Sequence, residues 1–293
     1  MIPLLIDTDS GVDDALALWA ALAAEEIRLL AVTVTGGNVP LTQALANTGA
    51  LLGLARAEVP YHAGAARPLL GDFESARGVH GANGLAGLTL PPGPPPAPGR
   101  APDAIRALLR TSPAPLTLLG LGPATNLALA LATEPELAPR IARLVLMTGG
   151  ATDEGRPEFN ARNDPLALAI LLGLGLEVVI VPLSLTRAVR LGPADLARFE
   201  RPGGAVLAAA RSMLRSRLAA SPGGVTLHDP CALFFLLRPE LFTGRPLRLA
   251  VALDGAERGA TLPLAGLPNV LWLERLDREA FLEALAGALA RLP

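Results

Sequence analysis

Apolar positions along the chain fall into two rhythms that take turns. Ile2-Pro-Leu-Leu-Ile6 is a short apolar run of the kind buried on both faces of a sheet, and Asp13–Ala24 follows with apolar residues at helical spacing. The pair returns as a strand at Ile27–Thr35 and a helix at Leu41–Ala55, then as a short strand at Val59–His62 and a helix at Asp103–Leu109. Strands at Pro115–Leu121, Arg143–Met147 and Glu177–Val181 continue it, with helices at Thr125–Ala132 and Pro165–Leu172 between them. Such alternation predicts an α/β fold, an open, mostly parallel sheet with helices on both faces. Beyond Pro182 the rhythm changes to helices at Ala194–Phe199 and Ala205–Ala219, a helix from Pro230, short strands around Leu247–Leu253 and Val270–Leu273, and a closing helix at Arg278–Leu292. This C-terminal part is expected to be mainly helical. The run Pro91–Pro98 reads as an extended surface connector between segments too short for cores of their own, so residues 1–293 are expected to form a single domain.

Composition narrows the partners. With 51% hydrophobic residues and a formal net charge of −2, the chain can bury a large core and has no electrostatic footprint for nucleic acid. A single cysteine, Cys231, and three scattered histidines exclude an internal disulfide framework and a thiolate zinc site, as expected of a reducing, cytoplasmic setting. Met1 runs into Ile2–Ile6 with no basic region or cleavage site, which is not the pattern of a signal peptide, and every apolar stretch is broken before the roughly 20 residues that a membrane span needs. No membrane partner is expected.

The chemistry is concentrated where the first strand hands over to the first helix. Asp7-Thr-Asp-Ser-Gly-Val-Asp-Asp14 places four carboxylates in one turn. Capping by Ser10 or Asp13, with acids near a helix N-terminus favoured by about 0.3–1 kcal/mol, accounts for one or two of them. Two carboxylates about 5 Å apart repel by roughly 3 kcal/mol at an effective dielectric of about 20, which capping does not offset for several pairs. A cation reverses the sign of that energy, and Ca²⁺ and Mg²⁺ both bind through Asp carboxylates.

The segment Asp7-Thr-Asp-Ser-Gly-Val-Asp-Asp-Ala-Leu-Ala-Leu18 resembles the N-terminal signature of the inosine-uridine-preferring nucleoside hydrolases, with Ser10 where that family usually has Pro. Gly37-Asn38, Gly122-Pro-Ala-Thr-Asn126, Glu158-Phe-Asn160 and His228-Asp-Pro-Cys-Ala-Leu233 extend the resemblance in the same order over roughly residues 2 to 235. It implies a nucleoside hydrolase-like fold with a Rossmann-like core, and hydrolysis of the N-glycosidic bond of ribonucleosides to free base and ribose. It implies Ca²⁺ held by Asp9, Asp14, Asp229 and the backbone carbonyl of Leu121, with Asp9 as the base that takes a proton from a calcium-bound water. Asp13, Asn38 and Asp229 would hold the ribose hydroxyls, and Glu158 and Asn160 the far side of the sugar, including its 5′-hydroxyl. Carboxylates around the ring would stabilise an oxocarbenium-like transition state. His228 matches the residue that protonates a departing purine, and His80, in Val79-His-Gly-Ala-Asn-Gly-Leu85, a loop histidine near the base. The resemblance also implies a homodimer or homotetramer and a role in nucleoside salvage.

Several residues have plainer readings. Asp229-Pro230 and Asp164-Pro165 are ordinary helix starts, with Asp at the cap and Pro at the first helical position. Asn126 reads as a cap or cross-brace, Asp7 as a brace behind the ligands, Phe159 and Phe234 as core, His62 as structural, and Arg156 and Arg162 as solvated loop charges. Between Met147 and Glu158 the loop is shorter than in many family members, with Thr152 or Asp153 where an Asn often meets the 5′-hydroxyl. Competing readings are a Mg²⁺-dependent phosphatase built on Asp7-Thr-Asp9, which would call for a Lys that the chain lacks, phosphorolysis, and a metal-stabilised ribose-binding protein without turnover.

Overall fold

Strand and helix alternate as the apolar pattern predicts. The computed structural model describes residues 1–293. Its first part runs β1 (Ile2–Thr8), α1 (Val12–Ala23), β2 (Ile27–Val34), α2 (Leu41–Leu54), β3 (Tyr61–Ala63), α3 (Arg77–His80), α4 (Ala101–Thr111), β4 (Leu116–Gly120), α5 (Thr125–Ala132), β5 (Ile141–Met147), α6 (Phe159–Asn163), α7 (Pro165–Leu172), β6 (Val178–Val181) and α8 (Leu183–Ala188). The C-terminal part adds β7 (Arg190–Leu191), α9 (Ala205–Ala220), β8 (Val225–Thr226), α10 (His228–Leu237), β9 (Phe242–Val251), β10 (Thr261–Leu264), β11 (Val270–Leu276) and α11 (Arg278–Ala290).

Nine strands form one sheet in the order β10-β9-β11-β6-β5-β4-β1-β2-β3. Every pair from β3 through β6 to β11 is parallel, and β9 pairs antiparallel with both β10 and β11. From β1 the chain steps to β2 and β3 on one side and then returns to place β4 on the other. This reversal between β1 and β4 is the switch point at which open parallel sheets leave a crevice at the carboxyl ends of their strands. The acidic segment therefore begins at the one place where the topology opens a ligand site.

Strand residues alternate between two cores, as the period of two requires. Leu4 and Ile6 belong to a cluster of 54 buried residues with α1, α2, α9, α10 and α11, while Leu5 faces a cluster of 24 with α4, α5 and α7. Val145 and Val179 join the first, Leu144 and Val178 the second. Each fully buried Leu or Ile contributes about 1.5–3 kcal/mol of transfer free energy, so the strand ends that carry the site are held firmly.

The C-terminal part is rich in helix and also lengthens the sheet. β9 is ten residues long and begins five residues before the strand expected around Leu247–Leu253, whereas β10 carries no distinct apolar alternation and does not stand out in the sequence. The expected helix at Ala194–Phe199 is a 3-10 segment, Pro193–Phe199. The Pro-rich connector lies along β3, where Ala97 N donates to Tyr61 O and the Tyr61 hydroxyl to Pro94 O. His62 is structural, bonded to Pro98 O.

Candidate active site

The acids are fixed by backbone donors at the carboxyl end of β1. Asp14, in the first turn of α1, accepts from Gly11 N (2.8 Å) and Asp9 N (3.3 Å), so it reaches back across the helix start while its carboxylate stays in the crevice. Ser10 adopts φ +47, a region closed to proline, and is held by its hydroxyl to Thr48 and by Asn47 at its carbonyl. Asn38, following β2, donates its backbone N–H to Asp9 Oδ2 (2.7 Å) and its amide to Asp9 Oδ1 (2.9 Å) and Asp14 Oδ2 (3.1 Å). The residue before it must be glycine, because a Cβ on Gly37 would lie 2.1 Å from Asp9 Oδ2. Behind them Asp7 Oδ1 accepts from Thr33 and from Asn126, whose own Oδ1 takes Ala65 N, so Asp7 and Asn126 are the braces that the sequence suggests.

Asp229 comes from the first turn of α10. The helix begins at His228 with Leu227 as its cap, so the expected capping role of Asp229 is not observed, and its carboxylate turns to the other acids. Asp13, Asp14 and Asp229 each offer an oxygen within 4.8 Å of the others. Asp9 stands outside this trio, both its oxygens held by Asn38, and the Leu121 carbonyl accepts from Asn160 Nδ2 at 2.7 Å.

Above the acids lies a cavity of about 300 Å³ lined by Asp13, Asn38, His80, Leu121, Glu158, Asn160, His228 and Asp229 among others. Asp9 and Asp14 are behind its surface. Glu158 caps α6 and accepts four bonds, from Asn160 N, Ala161 N, Gly149 N and the Thr148 hydroxyl. Asn160 also donates to Met147 O, tying the ends of β4 and β5 together. His80 is placed by Val12 N, which donates to its Nδ1 at 3.1 Å. That nitrogen is an acceptor, so the 3.7 Å approach of Asp13 is not an ion pair. His228 donates its backbone N–H to Asp13 and pairs its ring Nδ1 with the Thr186 hydroxyl.

Electrostatics set the requirement for a cation. Burial, then repulsion from Asp14, pushes the Asp9 carboxyl well above its ordinary range, and burial, then Asp13, Asp14 and Asp9, does the same to Asp229. No arginine pairs with any of these groups, and His80 is the only basic side chain at ion-pair distance from the cluster. Carboxylates buried together without a counter-charge fit a hard divalent ion bound through oxygen.

A family model described as inosine-uridine preferring nucleoside hydrolase matches residues 4–283. The pyrimidine-specific ribonucleoside hydrolase RihA of Klebsiella pneumoniae is 38% identical over 307 residues, covering 99% of this chain and 98% of that protein. The chain belongs to the inosine-uridine preferring nucleoside hydrolase family. Among solved structures, a purine-preferring ribonucleoside hydrolase from Gardnerella vaginalis superposes with a TM-score of 0.92 at 28% identity, covering 98% of each chain. An inosine-guanosine nucleoside hydrolase does so with a TM-score of 0.92 at 26% identity, covering 99% of each. The protein is a ribonucleoside hydrolase that cleaves N-glycosidic bonds, the phosphatase and non-catalytic readings fall away, and no helix is long and apolar enough to cross a membrane.

In this nucleoside hydrolase every candidate residue from the sequence lies in or directly behind one cavity. What the sequence misses is most of the mouth. Arg156 and Arg162, read as solvated loop charges, line the cavity together with Arg187 and Arg190, and beside Thr152, which stands where the family often has an Asn. Phe159, read as core, is a half-buried wall residue with the Arg162 guanidinium 5.8 Å from its ring centre. Asp164 does cap α7, through Ala167 N, and also accepts from Leu69 N and the Thr125 hydroxyl.

Proposed function

We propose that this chain hydrolyses pyrimidine ribonucleosides with a calcium ion held by Asp9, Asp14, Asp229 and the Leu121 carbonyl. The observation that carries the reading is the group of buried carboxylates, without a cationic side-chain partner, at the sheet's switch point beneath a nucleoside-sized cavity. When bound, the ion supplies charge compensation and acidifies water in its coordination shell. Asp9 takes the proton as the water oxygen bonds to the anomeric carbon. The glycosidic bond breaks with its electron pair on the base nitrogen.

Asp13, held at one oxygen by His228 N, offers the other to the ribose 2′-hydroxyl. Asp229 and Asn38 take the neighbouring hydroxyls, and Glu158 and Asn160 lie toward the 5′ side. Glu158 spends its lone pairs on four donors in the fold and so acts by position and charge. His228 and His80 face the base. Burial holds the His228 imidazole down at about 4, so it meets the base as a neutral ring. Two points favour pyrimidines. The relative at 38% identity is pyrimidine-specific, whereas the purine-type structures are at 26–28%. Phe159 is also the only Phe, Tyr or Trp in the cavity wall, leaving little surface to stack on a purine.

Uridine, cytidine and inosine incubated with the protein, with calcium or with a chelator and without phosphate, test this by chromatography of free base and ribose. Uridine and cytidine are expected to be cleaved faster than inosine, and only with calcium. Inosine as the best substrate would overturn the pyrimidine assignment, and undiminished turnover in chelator would overturn the metal.

A further inference from the structure

We infer that Asn47 is a positioning residue shared by the two halves of the site. Its amide fixes the turn that presents the calcium ligands and, with the same nitrogen, the loop that carries His80 to the base. The inference rests on the functional reading above, in which Asp9 and Asp14 serve the ion and His80 faces the base. Asn47 itself touches neither ion nor nucleoside: it is buried in α2 and forms no part of the active-site wall.

The amide has no freedom left. Gln43, one helical turn earlier, donates Nε2 to Asn47 Oδ1 (2.9 Å), which settles which end of the amide is the donor. Both hydrogens of Nδ2 are then committed, one to Ser10 O (3.1 Å) and one to Asn83 O (2.9 Å). From Ser10 the contacts run to the acids. Ser10 N donates to Thr8 Oγ1 (3.1 Å), that hydroxyl donates to Asp14 Oδ1, and Gly11 N, next along the turn, donates to Asp14 Oδ2 (2.8 Å). From Asn83 they run to the base side. The Asn83 side chain closes its own loop, accepting from Leu85 N and Gly87 N and donating to Leu88 O, and Ala86 N returns to His80 O (2.7 Å).

The two segments lie directly on each other. A Cβ on Gly84, at φ +81, would stand 2.9 Å from Asn47 Nδ2 and 3.2 Å from Ser10 O. Val12 N, at the start of α1, holds His80 itself (3.1 Å), so the loop is tied to the acid segment at two points, and Asn47 is the tie that acts from outside the cavity. Backbone conformation agrees. Ser10 at φ +47 and Ala86 at φ +53 are two of the three non-glycine residues with positive φ, and they sit in the two segments that Asn47 joins. Such conformations persist where the surrounding structure over-determines them.

The test is Asn47→Ala, which removes both donations and adds no charge. Two quantities are read: calcium affinity by calorimetry, and the ratio of kcat/KM for uridine to that for 4-nitrophenyl riboside, whose nitrophenolate is a stable anion that leaves without a hydrogen-bond donor. Calcium affinity is expected to fall about tenfold, the scale of a lost hydrogen bond that leaves an acceptor unpaired, and the ratio by about as much. Neither an affinity nor a ratio from one preparation depends on the fraction folded. Unchanged calcium affinity would free the turn from Asn47, equal losses on both substrates would free the loop, and either result overturns the inference. Should the variant not fold, amide hydrogen exchange of the unsubstituted protein decides. Calcium is expected to slow exchange at Gly84 and Ala86, whose N–H groups bond within the loop to Gly81 O and His80 O, and exchange there that is indifferent to calcium overturns the inference. Calcium binding and uridine cleavage in the unsubstituted protein, with an unaltered variant, defeat this inference alone. A protein that binds no calcium or cleaves no nucleoside defeats the functional reading and this inference with it.

Discussion

The floor of the cavity and its mouth are built on opposite principles. Floor residues project from the ends of parallel strands or the first turns of helices, are almost fully buried, and are held by backbone N–H groups and by one another, as Asn38 holds Asp9 and Asp14. Mouth residues come from the loop 151–157, from α6, from α8 and from the stretch after it, and their contacts include ion pairs at the surface, such as Arg187 to Asp153, whose side chain is 88% exposed. The floor can hold charges in a fixed array that water would otherwise screen, which is what stabilising a developing cation on ribose requires. The mouth gives up that rigidity and can change partners, which suits selection among bases and substituents.

The sharpest way to test the contrast is to exchange roles within the floor. Asp9→Asn should lower kcat by about 10²–10⁴-fold, the scale of a positioned base, and should weaken calcium binding measured by calorimetry. Asp13→Asn should keep the calcium and raise KM for the ribonucleoside. The geometry makes this a real alternative, because Asp13 and not Asp9 shares the 4.8 Å grouping with Asp14 and Asp229. Loss of calcium in Asp13→Asn and retention in Asp9→Asn would assign the ligand to Asp13.

The same contrast explains what could be read without coordinates. Asp9, Asp13 and Asp14 lie in one strand–turn–helix segment, so local spacing and simple Coulomb repulsion were enough to mark them. Asp229, more than two hundred residues later, is legible only through the His228-Asp-Pro motif, and its apparent cap role was misleading because the helix starts one residue earlier. The parallel sheet followed from strand–helix alternation, and the apolar end of β9 was legible as the strand around Leu247–Leu253, whereas its exposed first half and β10 carry no apolar signal. Of the mouth only Thr152 was legible, through the family resemblance. Arg156, Arg162, Arg187 and Arg190 follow no periodicity, and an arginine lining a cavity has the same local sequence as one in solvent; only the fold brings them together.

Asp7 offers a second, smaller test of how dearly the floor is built. Burial lifts its carboxyl to about 7, and its Oδ2 has no hydrogen-bond partner. A folded-state pKa above the unfolded value of 3.8 means that the unfolded chain releases this proton first as pH rises. Stability contributed by the protonated group is therefore complete below about 3.8, is lost progressively up to about 7, and changes no further above it. The loss is on the order of 4 kcal/mol at most. Asp7→Asn keeps an oxygen for Thr33 and Asn126 and cannot ionise, so between pH 4 and pH 8 its Tm should fall less than that of the parent, both saturated with calcium. Equal falls would show that Asp7 stays ionised in the folded protein.

At the mouth the expected effects are the smallest. Loop 151–157 carries backbone bonds of its own, Thr152 N to Arg156 O and Glu158 N to Gly150 O, with a bridge between Ala151 and Pro157. The Asp153–Arg187 pair adds a strap over a loop that is already closed, and an exposed pair of this kind contributes little after side-chain entropy and screening are counted. Asp153→Ala should leave Tm and kcat unchanged and move KM within about fivefold, more at low salt than at high. The direction of that shift is informative, since freeing Arg187 adds positive charge to the mouth: KM should fall for an anionic substrate and stay level for a neutral one. A loss of kcat comparable to that of Asp9→Asn would mean that a single surface contact positions the reacting groups, and the division between a rigid floor and an adaptable mouth would no longer describe this enzyme.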